Sequence, residues 1–183
     1  MKKEKIILIY LLVAALTAAS CKKWLDVRPK TQVETPQLFT SEQGFQDAMY
    51  GVYTQMADSN LYGDKLTMSF LDVLAQRYDI SATDHDYYQA SVYNYQDGKT
   101  KTRIANIWGS MYKAIVNLNN VLLYIDDNKS LFQPGNYELT KGEALGMRAF
   151  LHFDLLRMFG PSYLTGPAKT AIPLYPVASL RYL

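Results

Sequence analysis

Between Asp79 and Lys101 the chain interleaves Tyr87, Tyr88, Tyr93 and Tyr95 with Asp, Asn, Gln and Ser, and no helical period runs through it. A tyrosine ring can cover a flat apolar face of a ligand while carboxylates, amides or a guanidinium hydrogen-bond its polar edge. Sugars present that combination. Arg77, Asp79, Tyr87, Tyr88, Tyr93, Asn94 and Tyr95 are therefore the candidate ligand-binding residues. The alternative is that these rings pack beneath another part of the protein. A loop of this length is usually functional or disordered, and so many rings argue for order.

Other reactive side chains have plainer readings. Asp84-His85-Asp86 has the residue types of a metal site. Zinc needs three or four converging ligands and calcium six or more oxygens, so a solvated polar loop is the simpler account, and no metal or other cofactor is expected. His152 falls on the apolar face of a helix and is expected to be a hydrogen-bonded core histidine. There is no glycine-rich phosphate loop, no nucleophile elbow and no cysteine placed for catalysis. Acidic pairs such as Asp126-Asp127 are ordinary loop charges. The residues point to a binding protein rather than an enzyme.

Cys21 is the chain's one cysteine, which excludes an internal disulfide. Before it lie Lys2, Lys3 and Lys5, an apolar run from Ile6 to Ala15, and the small residues Thr17 to Ser20. This is the pattern of an export signal. The uncharged run from Ile6 to Ser20 is shorter than the roughly 20 residues a membrane span needs. A cysteine directly after small residues resembles the lipobox of bacterial lipoproteins, although Ala18 stands where that pattern has leucine. Residues 1–20 are thus expected to be a signal peptide, Cys21 to be lipidated, and residues 21–36 to form a tether. Trp24 and Leu25 in the tether are expected to pack back onto the body. Lipid anchoring works through burial of acyl chains, about 0.8 kcal/mol per CH₂.

The formal charge of +2 comes from 19 basic and 17 acidic residues. Lys2, Lys3, Lys5 and Glu4 all precede Cys21, and without them both signs stand at 16. A neutral body without a basic stripe excludes nucleic acid as a partner.

The elements that must carry these groups are helical. Phe45, Ala48, Met49, Val52, Tyr53 and Met56 make one stripe, predicting a helix over 41–57 capped by Thr40 or Ser41. Gly44 and Gly51 within it suggest close approach. A weaker helix is predicted over 63–75, with Leu66, Phe70, Val73 and Leu74 inward. Ile104, Ile107, Trp108, Met111, Ile115, Leu118, Leu122 and Ile125 predict a third over 102–125. Asn117, Asn119 and Asn120 interrupt it and should bond a neighbouring turn or helix. The fourth, KGEALGMRAFLHFDLLRMF from Lys141, is the most apolar. Thr140 should cap it, and Gly160 should end it in a left-handed turn; Leu145, Ala149, His152, Phe153, Leu156 and Phe159 recur at helical spacing, while Met147, Phe150, Leu151 and Leu155 fill its other faces. It is expected to be buried on most sides. Helices three and four form a hairpin through Pro134-Gly135-Asn136. Beyond Pro161, prolines preclude long helices. The abrupt stop at Leu183 suggests an incomplete chain.

Several of these residues together resemble the SusD/RagB family. They are Trp108, Tyr112, Ile115 and Asn119 on helix three, and Gly142, Glu143, Ala144, Arg148, Ala149, Phe153, Phe159 and Gly160 on helix four. Cys21, Trp24-Leu25-Asp26, Pro29 and Tyr50-Gly51-Val52-Tyr53 extend the likeness toward the N-terminus. The resemblance implies an all-α fold of tetratricopeptide-like helical hairpins over residues 37–183, as the N-terminal portion of a longer protein. It also implies a surface-exposed outer-membrane lipoprotein that binds oligosaccharide or a similar nutrient and sits over a TonB-dependent, SusC-like transporter barrel. Family members do no chemistry. A second reading is a helical-repeat lipoprotein serving only protein–protein assembly, and a weaker third is a periplasmic hydrolase.

Overall fold

The computed structural model describes Glu4, residues 35–164, Gly166 and residues 169–174. The chain divides into two units, Met1–Glu34 and Thr35–Leu183, and everything below concerns the second. Cys21, Trp24, Leu25 and most of the tether lie outside the described residues.

Among the described residues of this unit six α-helices follow in order: α1 Thr35–Leu38, α2 Glu42–Met56, α3 Phe70–Leu74, α4 Tyr88–Ser91, α5 Gly98–Ile125 and α6 Asn136–Phe159. A short 3-10 turn, Lys129–Leu131, lies in the α5–α6 connection. Among the described residues there is no strand, and no helix is long and apolar enough to cross a membrane. The fold is all-α.

The long helices form as their sequences dictate. Ser41 caps α2, its hydroxyl accepting from the Gly44 amide at 3.2 Å. Gly44 is required there, because a Cβ would stand 1.7 Å from the Leu38 carbonyl oxygen. Gly51 has open space around it, so only one of the two glycines marks a close approach. Helix α5 buries Ile107, Met111, Ile115, Leu118, Leu122 and Ile125, the stripe read from the sequence. It begins four residues earlier than that stripe suggests. Asp97 caps it, accepting from the Thr100 amide at 2.9 Å, so an Asp-Gly pair that looks like a turn opens a helix instead. The helix predicted over 63–75 shrinks to Phe70–Leu74, with residues 57–69 in successive turns.

Helices α5 and α6 pack as an antiparallel hairpin, with α2 laid against α5. The residues that carry the family likeness are what fastens it. Arg148 donates to the Asn119 side chain at 3.1 Å, and Asn119 is buried. Trp108 packs on Tyr112 at 4.8 Å and edge-on against Phe159 at 4.9 Å. The Tyr112 hydroxyl donates to the Pro173 carbonyl at 2.9 Å, bringing the irregular last segment back to α5. Asn117 donates to Gln55 at 3.0 Å, so two of the three asparagines bond neighbouring helices as their placement in α5 requires.

Helix α6 departs from expectation in three ways. It starts at Asn136, because Gly135 takes φ +89° and turns the chain a full turn earlier. Thr140 is therefore a buried interior residue and not a cap. Gly160 ends the helix in an extended conformation (φ −78°, ψ 157°), not in a left-handed turn. Finally, only Thr140, Ala144, Leu151, Asp154 and Leu155 are buried on it. Leu145, Phe150, Phe153 and Leu156 are exposed, so the helix is apolar on two faces and packed on one.

His152 sits half-buried, its Nδ1 2.8 Å from the Arg148 carbonyl and its Nε2 enclosed with no partner among the described residues. That agrees in part with a hydrogen-bonded core histidine.

Candidate functional site

The tyrosine-rich segment is ordered by the ends of two short helices. Helices α3 and α4 each stop in a non-glycine residue of positive φ, Gln76 at 57° and Tyr93 at 58°. The side chain of each then reaches the other helix. Gln76 Nε2 donates to the Ser91 carbonyl at 2.8 Å, and the Tyr93 hydroxyl donates to the Leu74 carbonyl at 3.0 Å. Carbonyls at a helix C-terminus lack intrahelical donors, so each bond satisfies an orphan acceptor.

A second fastening ties the loop to α5. Arg103 pairs with the Asp86 carboxylate, donates to the Asp86 carbonyl at 3.1 Å and lies 4.3 Å above the centre of the Tyr87 ring. Lys99 pairs with the same carboxylate at 2.7 Å. These two cations hold the Asp86 carboxyl below its ordinary range. Both Asp86 oxygens are thus engaged by cations, and His85 Nδ1 accepts the Tyr87 amide at 3.1 Å, consistent with a structural loop rather than a metal cluster.

The seven predicted residues separate into two groups. Tyr87 and Tyr88 are half-buried, and the Tyr87 hydroxyl lies 3.3 Å from Ser69. Asn94 is spent on the loop itself, donating to Gln89 at 2.9 Å and accepting from the Gln96 amide at 3.2 Å. These three are scaffold. Tyr93 and Tyr95 stay nearly half exposed, with ring centres 6.4 Å apart and planes at 47°. Arg77 and Asp79 are exposed, and Arg77 lies 3.5 Å from Asp72. Tyr93, Tyr95, Arg77 and Asp79 are therefore the exposed predicted residues not counted as scaffold.

Under Tyr95 runs a largely apolar groove of about 360 Å³, walled by Phe70, Leu74, Ile104, Ile107 and Phe159, with Arg157 on its lining. Its size falls in the range of small-ligand sites, roughly 300–1,000 Å³. Sequence reasoning missed Arg103, Arg157 and the groove. Arg103 had a signal: a cation early in a helix opposes the helix dipole and needs an anionic partner nearby. The groove had none, because its walls come from three separate helices.

In this all-α protein Tyr95 and Arg157 thus border an apolar groove. Residues 23–178 match the SusD-like family, described as starch-binding and associating with the outer membrane. The chain belongs to that family. A curated protein similar to it is the SusD-like protein P25 of Formosa agariphila, 20% identical over 165 residues. That alignment covers 87% of this chain and 31% of P25, so the chain spans about a third of the length of its curated relative. No solved structure matches.

Proposed function

We propose that this chain is the helical part of a surface-exposed outer-membrane lipoprotein, anchored through Cys21, that binds an oligosaccharide or similar nutrient and delivers it to a TonB-dependent transporter. The match over residues 23–178 to a starch-binding, outer-membrane-associating family carries the proposal. The exposed Tyr93, Tyr95, Arg77 and Asp79 support it, with rings for apolar sugar faces and charged groups for hydroxyls. Its role is binding, with no chemical step. Residues 1–20 act as the export signal and 21–36 as the tether.

Electrophoresis through gels containing soluble starch tests the ligand half. Retardation of the wild-type chain that is lost in Tyr95→Ala supports it, and equal migration with and without starch removes it. Cys21→Ser tests the anchor, since the variant should leave the membrane fraction.

One observation favours a second reading, assembly alone. Leu145, Phe150, Phe153 and Leu156 leave an apolar face of α6 about half exposed. Copurification with the transporter, together with no retardation by starch or other polysaccharides, would select that reading.

A further inference from the structure

Helices α2 and α6 run in the same direction and are bridged at both ends of a groove. At one end the Glu42 carboxylate accepts from the Gln133 amide at 2.8 Å and from the Asn136 side chain. At the other, the Tyr53 hydroxyl donates to Glu143. Glu42 and Tyr53 are 11 residues apart on α2, about 16 Å along the helix. Between the bridges lies an open groove of about 260 Å³, lined by Gln46, Tyr50, Tyr53, Asn136, Leu139 and Glu143 among others.

Tyr50 is 63% exposed, and its ring stacks on no other ring among the described residues. Tyrosine is a weaker helix former than the Lys, Glu or Gln that would suit an exposed helix position. Leu139 opposite is 68% exposed and adds a second apolar surface. Two amides, two phenols and a carboxylate surround this apolar floor. Glu143 is the one charged side chain lining the groove, so a ligand carrying carboxylate, phosphate or sulfate would be repelled.

We propose that the α2–α6 groove is a second ligand site, taking an uncharged oligosaccharide with Tyr50 as the platform on which a sugar ring stacks. Glu143, Gln46 and Asn136 accept from and donate to the hydroxyls at its edge. The walls are preformed, because the two bridges fix the helix separation before any ligand arrives. The choice of an uncharged sugar rests on the glycan-binding reading above, but the site is separate from the tyrosine loop.

Calorimetric titration of the full chain with maltohexaose tests it, alongside Tyr50→Ala, Tyr50→Phe and Tyr95→Ala. Tyr50 is on the surface, and circular dichroism checks that each variant is folded. The expected result is two sites per chain. Tyr50→Ala weakens one by about tenfold or more, Tyr50→Phe retains it, and Tyr95→Ala weakens the other. One site sensitive to Tyr50→Ala and indifferent to Tyr95→Ala keeps the groove and removes the loop. One site sensitive to Tyr95→Ala alone overturns the groove and keeps the loop. No binding of maltohexaose by the wild-type chain overturns the groove as well.

Discussion

Gln76 and Tyr93 cap each other's helices. Each sits just past a helix end at a φ near 57–58°, and each side chain bonds a C-terminal carbonyl of the opposite helix. Positive φ strains non-glycine residues by about 1–2 kcal/mol. The crossed hydrogen bonds offset part of that and fix the floor of the tyrosine face.

Tyr93→Phe should therefore destabilise the protein by about 0.5–1.5 kcal/mol while keeping its exposed ring. Gln76→Ala should do the same, and the double variant should cost less than the sum, because both bonds serve one joint. Urea denaturation midpoints measure all three. If Tyr93→Phe binds starch as the wild type does and Tyr93→Ala does not, the hydroxyl is structural and the ring contacts ligand.

The two glycines of α2 should respond in opposite directions. Gly44→Ala drives a methyl into the Leu38 carbonyl and should destabilise by about 1–3 kcal/mol. Gly51→Ala meets nothing and should stabilise by about 0.5–1 kcal/mol through helix propensity. Thermal melts of the pair distinguish a required glycine from an incidental one.

Arg103→Gln should loosen the tyrosine loop without unfolding the hairpin. The substitution removes one of the two cationic partners of Asp86 and the cation over Tyr87. Hydrogen exchange is the measurement. Amides between residues 85 and 95 should exchange faster by about tenfold, while those of α5 beyond Met111 keep their protection.

Stability should fall in acid. Asp86 is held low by Lys99 and Arg103, and Asp97 by the Thr100 amide it accepts from. Both folded values lie below the ordinary 3.8, so the unfolded chain takes up protons first. Their contribution is complete above the unfolded value and is lost as pH drops below it, through the lower folded values. Urea midpoints measured from pH 6 to pH 2.5 should decline in that window. Asp97→Asn, which keeps an N-cap but cannot ionise, should make the decline shallower.

Uncovering the Asn119–Arg148 bond should be costly. Asn119→Ala leaves a guanidinium donor without its acceptor inside the hairpin, and a loss of about 1–3 kcal/mol is expected. Denaturant unfolding followed by tryptophan fluorescence reports it, since Trp108 packs in the same hairpin.

The periodicity of the sequence was enough to establish an all-α hairpin and the buried stripe of α5, and to narrow the α2 cap to Thr40 or Ser41, because each depends on residues within a few turns of one another. Residue type was also enough to mark the tyrosine segment as a binding candidate. Pairings between distant segments were another matter. That Asn119 and Arg148 meet, that Tyr93 serves α3, and that Tyr87 lies beneath Arg103 depend on how helices dock. The expectation that α6 is buried on most sides failed for the same reason. Apolar residues occur on two of its sides, and periodicity cannot say which side α5 covers. Only the packed hairpin decided that Leu151 and Leu155 are core while Phe150 and Phe153 face outward. Both grooves are likewise products of docking, since each is walled by helices that sequence distance keeps apart.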